Sequence, residues 1–240
     1  MDQLLSGAAV QPRLQALGAR LDRELEALNK RFLAEVPDAS HLTDDEALDP
    51  EYYVRHRIET IKRIRMTARA DALALAAMIG EDYDAARVWA RYACEELDHD
   101  RMFYSDLQRH GVSRAVVDAT RPLPATETLE RFLDEGLARH GSLPALAYSL
   151  FVEWNSERFS RRAVMKAAEA FGDAQVEGAR SHLAVDENGD HSREMLMLAE
   201  RLTRHEGGEA HLFALIHEIA ALFRDYFTQL SALRRTRLAA

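Results

Sequence analysis

Helix-forming residues run through the chain from end to end, and this more than anything else restricts what it can fold into. Ala, Leu, Glu and Arg dominate the 240 residues, while the alternating Val, Ile, Thr and aromatic runs that mark strands are nearly absent. Prolines fall only where helices should begin or loops should lie: Pro12, Pro37, Pro50, Pro122, Pro124 and Pro144. The pattern predicts helices near 11–35, 50–80, 82–110, 125–140, 143–170, 173–203 and 209–235, joined by links such as "FGD" and "RHEGGE". There is no internal repeat and no low-complexity tract. The expected fold class is all-α, a single domain over 1–240 built as a bundle of about seven helices around one core.

Charge and cysteine content narrow the function. A net charge of −9 and a pI near 5.6 argue against sequence-independent binding to nucleic acid or an anionic membrane, and the arginines are scattered rather than clustered. One cysteine, Cys94, excludes an intrachain disulfide framework and fits a reducing compartment. The opening "MDQLLSGAAVQPRLQ" has an acid at its second position and no continuous apolar run, so it does not read as a signal peptide. No run of about 18 uninterrupted apolar residues offers a membrane span. A cytoplasmic location is expected.

Three segments carry metal-type side chains. In "VWARYACEELDHDRMFYSDL", a seam steps by three and four through Trp89, Tyr92, Glu96, His99, Phe103 and Asp106/Leu107. Its flanking members are large and apolar, so Glu96 and His99 occupy positions that belong to the core. Burying both costs several kcal/mol, of order the penalty for unpaired buried charge, unless something compensates. A divalent metal does so, and the E-x2-H spacing lets both side chains share it; a Glu–His hydrogen-bonded pair is the alternative. Glu95 is a further candidate but lies off the seam. In "LPALAYSLFVEWNSERF", Glu153 continues the row of Leu146 and Leu150, and Glu157, one turn on, marks where the helix turns to solvent.

The third segment is "SHLAVDENGDHSREM". His182 and Asp186 are four apart and share a face. His191 lies about half a revolution from His182 on a regular helix at about 100° per residue. If the poor helix formers Asn188 and Gly189 absorb two residues in a bulge, His191 returns to that face. Alternatively the helix ends at Gly189, a new one starts at Asp190 or Ser192, and His191 lies on the surface. Together the segments supply Glu96, His99, Glu153, His182, Asp186 and His191. Mixed His and carboxylate sets of this size suit a pair of iron or manganese ions, and the absence of Cys argues against structural zinc or an iron–sulfur cluster. In "HEGGEAHLFALIHEIAALF", His205 and His211 read as surface residues and His217 as a core or pocket residue.

At these residues the chain resembles the heme-oxygenase-like di-iron oxidases, the superfamily that also holds TenA-type thiaminases and the cofactorless quinone-biosynthesis oxidase. "YACEELDHDRMFYSDLQRHGV" is similar to that family's first-ligand helix, Glu153 matches its lone middle Glu, and "HLAVDENGDH" resembles its H-x3-D-x2-H helix. The likeness spans roughly residues 85–200. The chain departs from the pattern at Gly189, where the family carries its last His; His191 through a bulge, or Asp190, would have to complete the second site. The resemblance implies a heme-oxygenase-like fold, two Fe(II) ions of which the second is often weakly held, and O2 as co-substrate. It implies a small-molecule substrate (an amino acid, an amine or a fatty acid) and a reaction such as N-oxygenation, oxidative decarboxylation or C–C cleavage. E-x2-H is closest to the alkene-forming fatty-acid decarboxylases, which points to a carboxylate bound near the iron. Family members are often homodimers. The competing readings are a TenA-like hydrolase with Cys94 as nucleophile and a non-catalytic helical binding protein. The Ala-rich face of "MTARADALALAAMIG" is open to two readings, a tunnel wall or close helix packing.

Overall fold

The structure is a computed structural model that describes residues 10–189 and 191–238, and the side chains of all of these except 10, 11, 185–189, 237 and 238. Among the described residues every regular element is helical. In chain order these are α1 (Val10–Glu35), α2 (Pro50–Glu81), α3 (Tyr83–Glu96), α4 (His99–Arg109), α5 (Arg114–Ala119), α6 (Pro124–His140) and α7 (Leu143–Asn155). A π-helical turn (Ser156–Ser160) links α7 to α8 (Arg161–Phe171), and a 3-10 turn (Asp173–Val176) leads into α9 (Glu177–Gly189). α10 (His191–Leu202) and α11 (Gly208–Leu238) complete the bundle.

The predicted helix starts rest on identifiable caps. Asp49 precedes Pro50, and its Oδ1 accepts from the backbone N–H of Glu51 at 2.9 Å and of Tyr52 at 3.0 Å. Asp82 both ends α2 and starts α3: its own N–H donates to the Met78 carbonyl, and its Oδ1 accepts from Asp84 and Ala85. Three differences from the sequence reading stand out. The span 82–110 is two helices, parted at Leu97 and Asp98. Both residues keep right-handed helical angles, so the interruption is a loosened turn that leaves the seam in phase. The span 143–170 contains the π turn, and 114–119 forms a short extra helix.

α7 sits at the centre. It packs against α2, α6, α10 and α11, and every residue from Leu143 to Leu150 is buried. A helix that is apolar all round belongs in the interior, and here it carries Glu153 inward with it. The main core joins α7 to Leu17, Leu21 and Leu25 of α1, Trp89 and Tyr92 of α3, Met195 and Leu198 of α10, and Leu212 and Ile216 of α11. Ala70, Ala74 and Met78 of the Ala-rich face pack into this core, so that face is mainly for close helix packing. A second cluster, with Tyr53, Ile61, Phe103, Leu107, Val164 and Ala179, lies where α2, α4, α8 and α9 meet.

Two features hold α9 against α4, the pair that carries His182 and His99. Asp106 of α4 is fully buried, and its Oδ1 and Oδ2 accept from the backbone N–H groups of Gly178 (2.7 Å) and Ala179 (2.8 Å) in the first turn of α9. Gly178 is required by the close approach itself, because a Cβ there would lie 1.9 Å from the Met102 carbonyl oxygen. Gly178→Ala must push the helices apart and is expected to cost about 1–3 kcal/mol. A lowered urea midpoint with an unchanged m value is the measurement that checks this.

Candidate metal centre

The seam of α3 and α4 faces inward as its spacing requires. Trp89 and Leu107 are fully buried, Tyr92, His99 and Phe103 nearly so, and Glu96 is partly buried. His99 Nδ1 lies 2.9 Å from Glu96 Oε2. Glu153 is buried, and its Oε1 accepts a hydrogen bond from the Tyr92 hydroxyl at 3.0 Å. Burial and the surrounding carboxylates hold the Tyr92 phenol well above its ordinary range, so it remains a donor. Glu157 lies in the π turn, exposed and paired with Arg158.

His191, the first residue of α10, is only 2% exposed. Asp190, on which the choice between a bulge and a capped end turns, lies outside the described residues, but His191 is not a surface residue. Its Nε2 lies 2.8 Å from Glu95 Oε2, and its Nδ1 is 3.9 Å from Glu96 Oε1. An ionised carboxylate can only accept, so Glu95 keeps the proton on Nε2 and leaves the lone pair on Nδ1. That Nδ1 is buried without a hydrogen-bond partner. Ligand atoms of Glu96, Glu153 and His191 all lie within 4.8 Å of one another. Ligands about 2.1 Å from a shared ion can be about 4 Å apart, so a small inward adjustment would let the three hold one. His182 of α9 reaches the same region, with its ring centroid 4.3 Å from that of His99 and 5.0 Å from that of Phe103. The side chain of Asp186 and the whole of Asp190 lie outside the described residues.

Glu96 therefore stands between two imidazoles, with one oxygen towards His99 on the following helix and the other towards His191 on α10. Two further groups at this point come from tertiary packing. Glu95, one residue off the seam, is the His191 partner from 96 positions away in sequence. Asp71 of α2 is buried, its backbone carbonyl accepts from Trp89 Nε1 at 3.0 Å, and burial plus the Glu96 charge push its carboxyl up to about 8. His217, expected in the core or a pocket, is instead exposed and faces Glu24. A second group of His41, Asp44 and Glu46 is spoken for. Asp44 is held by Lys166 and Ser40, and His41 Nε2 accepts from the Asp49 N–H, which leaves its proton on Nδ1.

A cavity of about 620 Å³ opens beside the centre, and Tyr92, Glu96, Glu153, Asp71 and His182 form part of its wall. Most of the rest is apolar, including Leu25, Phe32, Phe103, Phe151 and Phe223. Cys94 is exposed and is not part of this wall.

A solved structure from Shewanella denitrificans, described as a domain of unknown function with a heme oxygenase-like fold, superposes with a TM-score of 0.77 over 90% of this chain and 93% of that one, at 19% identity. The chain has a heme-oxygenase-like fold. A TenA homolog from Pseudomonas syringae aligns with a TM-score of 0.73 at 16% identity, covering 90% of this chain and 93% of that one. A CADD-like protein from Nostoc punctiforme gives 0.62 at 13% identity, covering 89% and 98%. These likenesses extend to the fold alone. No protein-family model matches the chain, and no curated protein sequence matches it as a relative. No helix among the described residues is long and apolar enough to cross a membrane.

The Asp71 carboxyl makes a pH-dependent prediction. In metal-free folded protein it stays protonated up to about pH 8, whereas in the unfolded chain it ionises near its ordinary value of 3.8. Its contribution to stability is therefore complete below about pH 4 and is lost as pH rises through about 8. Asp71→Asn is expected to flatten that part of the stability profile by several kcal/mol, as read from urea midpoints at pH 4.5 and 8.5.

Proposed function

We propose that the chain is a non-heme di-iron, O2-dependent oxidase or oxygenase acting on a small organic substrate in the 620 Å³ cavity. The observation that carries this reading is Glu96, a carboxylate with an oxygen turned to each of two imidazoles, next to the buried Glu153. Glu96, Glu153 and His191, with His99 and His182 beside them, are the residues that would hold the iron, and Asp186 is the remaining candidate ligand. Iron(II) in such a shell supplies the electrons that activate O2 for oxidation of an organic substrate.

The chain's own residues have separate tasks. Glu95 fixes the His191 tautomer through Nε2 and so aims the Nδ1 lone pair inward. Tyr92 orients Glu153 and keeps its own proton. Asp71, neutral at pH 7, is a proton source in the cavity wall beside Glu96. The aromatic wall keeps bulk water from the reacting end. A TenA-like hydrolase using Cys94 is disfavoured, since the thiol lies outside the cavity wall.

Metal content tests the proposal. Anaerobic Fe(II) titration of the full chain should load up to two ions, and admitting O2 should give a transient visible absorption. His191→Ala is expected to remove at least one ion, and Glu95→Gln to weaken iron binding about 10–100-fold. No iron uptake by wild-type protein, or unaltered stoichiometry in His191→Ala, would count against the centre. Cys94→Ser should leave turnover unchanged.

A further inference from the structure

The face of α2 that lines the cavity carries two buried cations that form no close ion pair among the described residues, although Arg57 feels Asp106 and Arg63 feels Glu59. Arg57, 8% exposed, stacks its guanidinium over Tyr53 (5.1 Å) and Phe103 (4.9 Å). It forms no ion pair or hydrogen bond among the described residues, and its Nε is buried without a partner. Arg63, also 8% exposed, lies over Tyr226 at 4.4 Å and interacts with its hydroxyl, makes a long 3.4 Å contact to Thr60 Oγ1, and has a buried Nη1 without a partner among the described residues. The nearby acids are already engaged. Asp106 is taken by the Gly178 and Ala179 N–H groups and by Arg109. Glu59 is held by Arg55 at 2.7 Å, by the Leu123 N–H and by the Thr126 hydroxyl. His56, which feels the charge of both arginines, is kept neutral mainly by burial and then by those charges. Aromatic faces offset only part of the desolvation of a buried guanidinium, so an anion in the cavity would stabilise both arginines.

The remaining acids in the cavity wall are elsewhere. Asp44 is neutralised by Lys166, while Asp71, Glu96 and Glu153 belong to the metal end. Along α2 at 1.5 Å per residue, Asp71 lies about 21 Å from Arg57 and about 12 Å from Arg63. The space between is walled largely by apolar side chains, among them Ile64, Phe151 and Phe223. We infer that Arg57 and Arg63 form an anion subsite for an elongated, apolar carboxylate, which enters with its carboxylate on the arginines and its opposite end towards Glu96 and Glu153. A carboxylate at the metal end, as the likeness to the decarboxylases suggests, would meet two carboxylates and leave both guanidiniums unpaired. The inference rests on the oxidase reading only for which end of the substrate reacts; binding itself needs no metal.

Binding of decanoate and of decan-1-ol to the full chain, stripped of metal with EDTA, separates the possibilities in calorimetric titrations. Decanoate should bind at least about tenfold more tightly than the alcohol. Arg57→Met combined with Arg63→Met should abolish that preference while leaving alcohol affinity within about twofold, and Arg57→Lys should retain most of it. Equal affinities of acid and alcohol for the wild-type protein would overturn the subsite without any variant, as would a preference that survives loss of both arginines. Iron stoichiometry, measured on separate Fe(II)-loaded samples of the wild-type protein, reports on the metal centre independently: no acid preference in a wild-type protein that loads two irons rejects the subsite alone.

Discussion

Glu96, Glu153 and His191 bring two carboxylates and an imidazole together inside a helical bundle, and much of the surrounding structure bears on that one electrostatic problem. Like charges at this distance and burial raise each other's energy steeply unless protons, hydrogen bonds or a cation intervene. The first two are present in part. Tyr92 donates to Glu153, His99 contacts one oxygen of Glu96, and Asp71 nearby retains its proton. What these leave over is a bare imidazole nitrogen on His191, turned towards Glu96 and aimed by Glu95. A site built only for stability would not keep an inward lone pair next to two acids, whereas a divalent cation would answer both at once.

The helices that supply these groups are placed by ordinary packing. α7 is buried on all sides, so the acid near its C-terminal end has no route to solvent. α9 is held to α4 by the Asp106 carboxylate on its first turn and by a contact so close that only glycine fits at residue 178. The described residues of the centre therefore sit on helices and not on loops.

Legibility in the sequence followed the range of the interaction. Glu96, His99 and Glu153 could be read because each continues an apolar row on its own helix, a signal carried within about two turns. Which way the His191 imidazole faces was not legible, because that depends on α3 lying across from it. Glu95 stood off the seam because its partner is 96 residues away. Asp71 sits in an unremarkable Ala-rich run, and its raised pKa arises only from burial and the approach of Glu96. Leu97 and Asp98 hid the α3–α4 break because their backbone stays helical in angle while the hydrogen bonding loosens. Arg57 and Arg63 looked like two of many scattered arginines, since charge pairing is a property of the fold and not of the composition.

Those arginines also bear on why one cavity has two polar ends. An apolar chamber with acids at one end and unpaired guanidiniums at the other has an electric asymmetry along α2. The field orients a long anion in one sense, carboxylate to Arg57 and Arg63, and disfavours the reverse by repulsion from Glu96 and Glu153. Binding a cation among the acids lessens that repulsion, so metal loading would relax the preference for one orientation even as it completes the reactive end. Orientation would then be selected most strongly when the substrate arrives before the metal, and the geometry of the acids and the placement of the arginines act as one device.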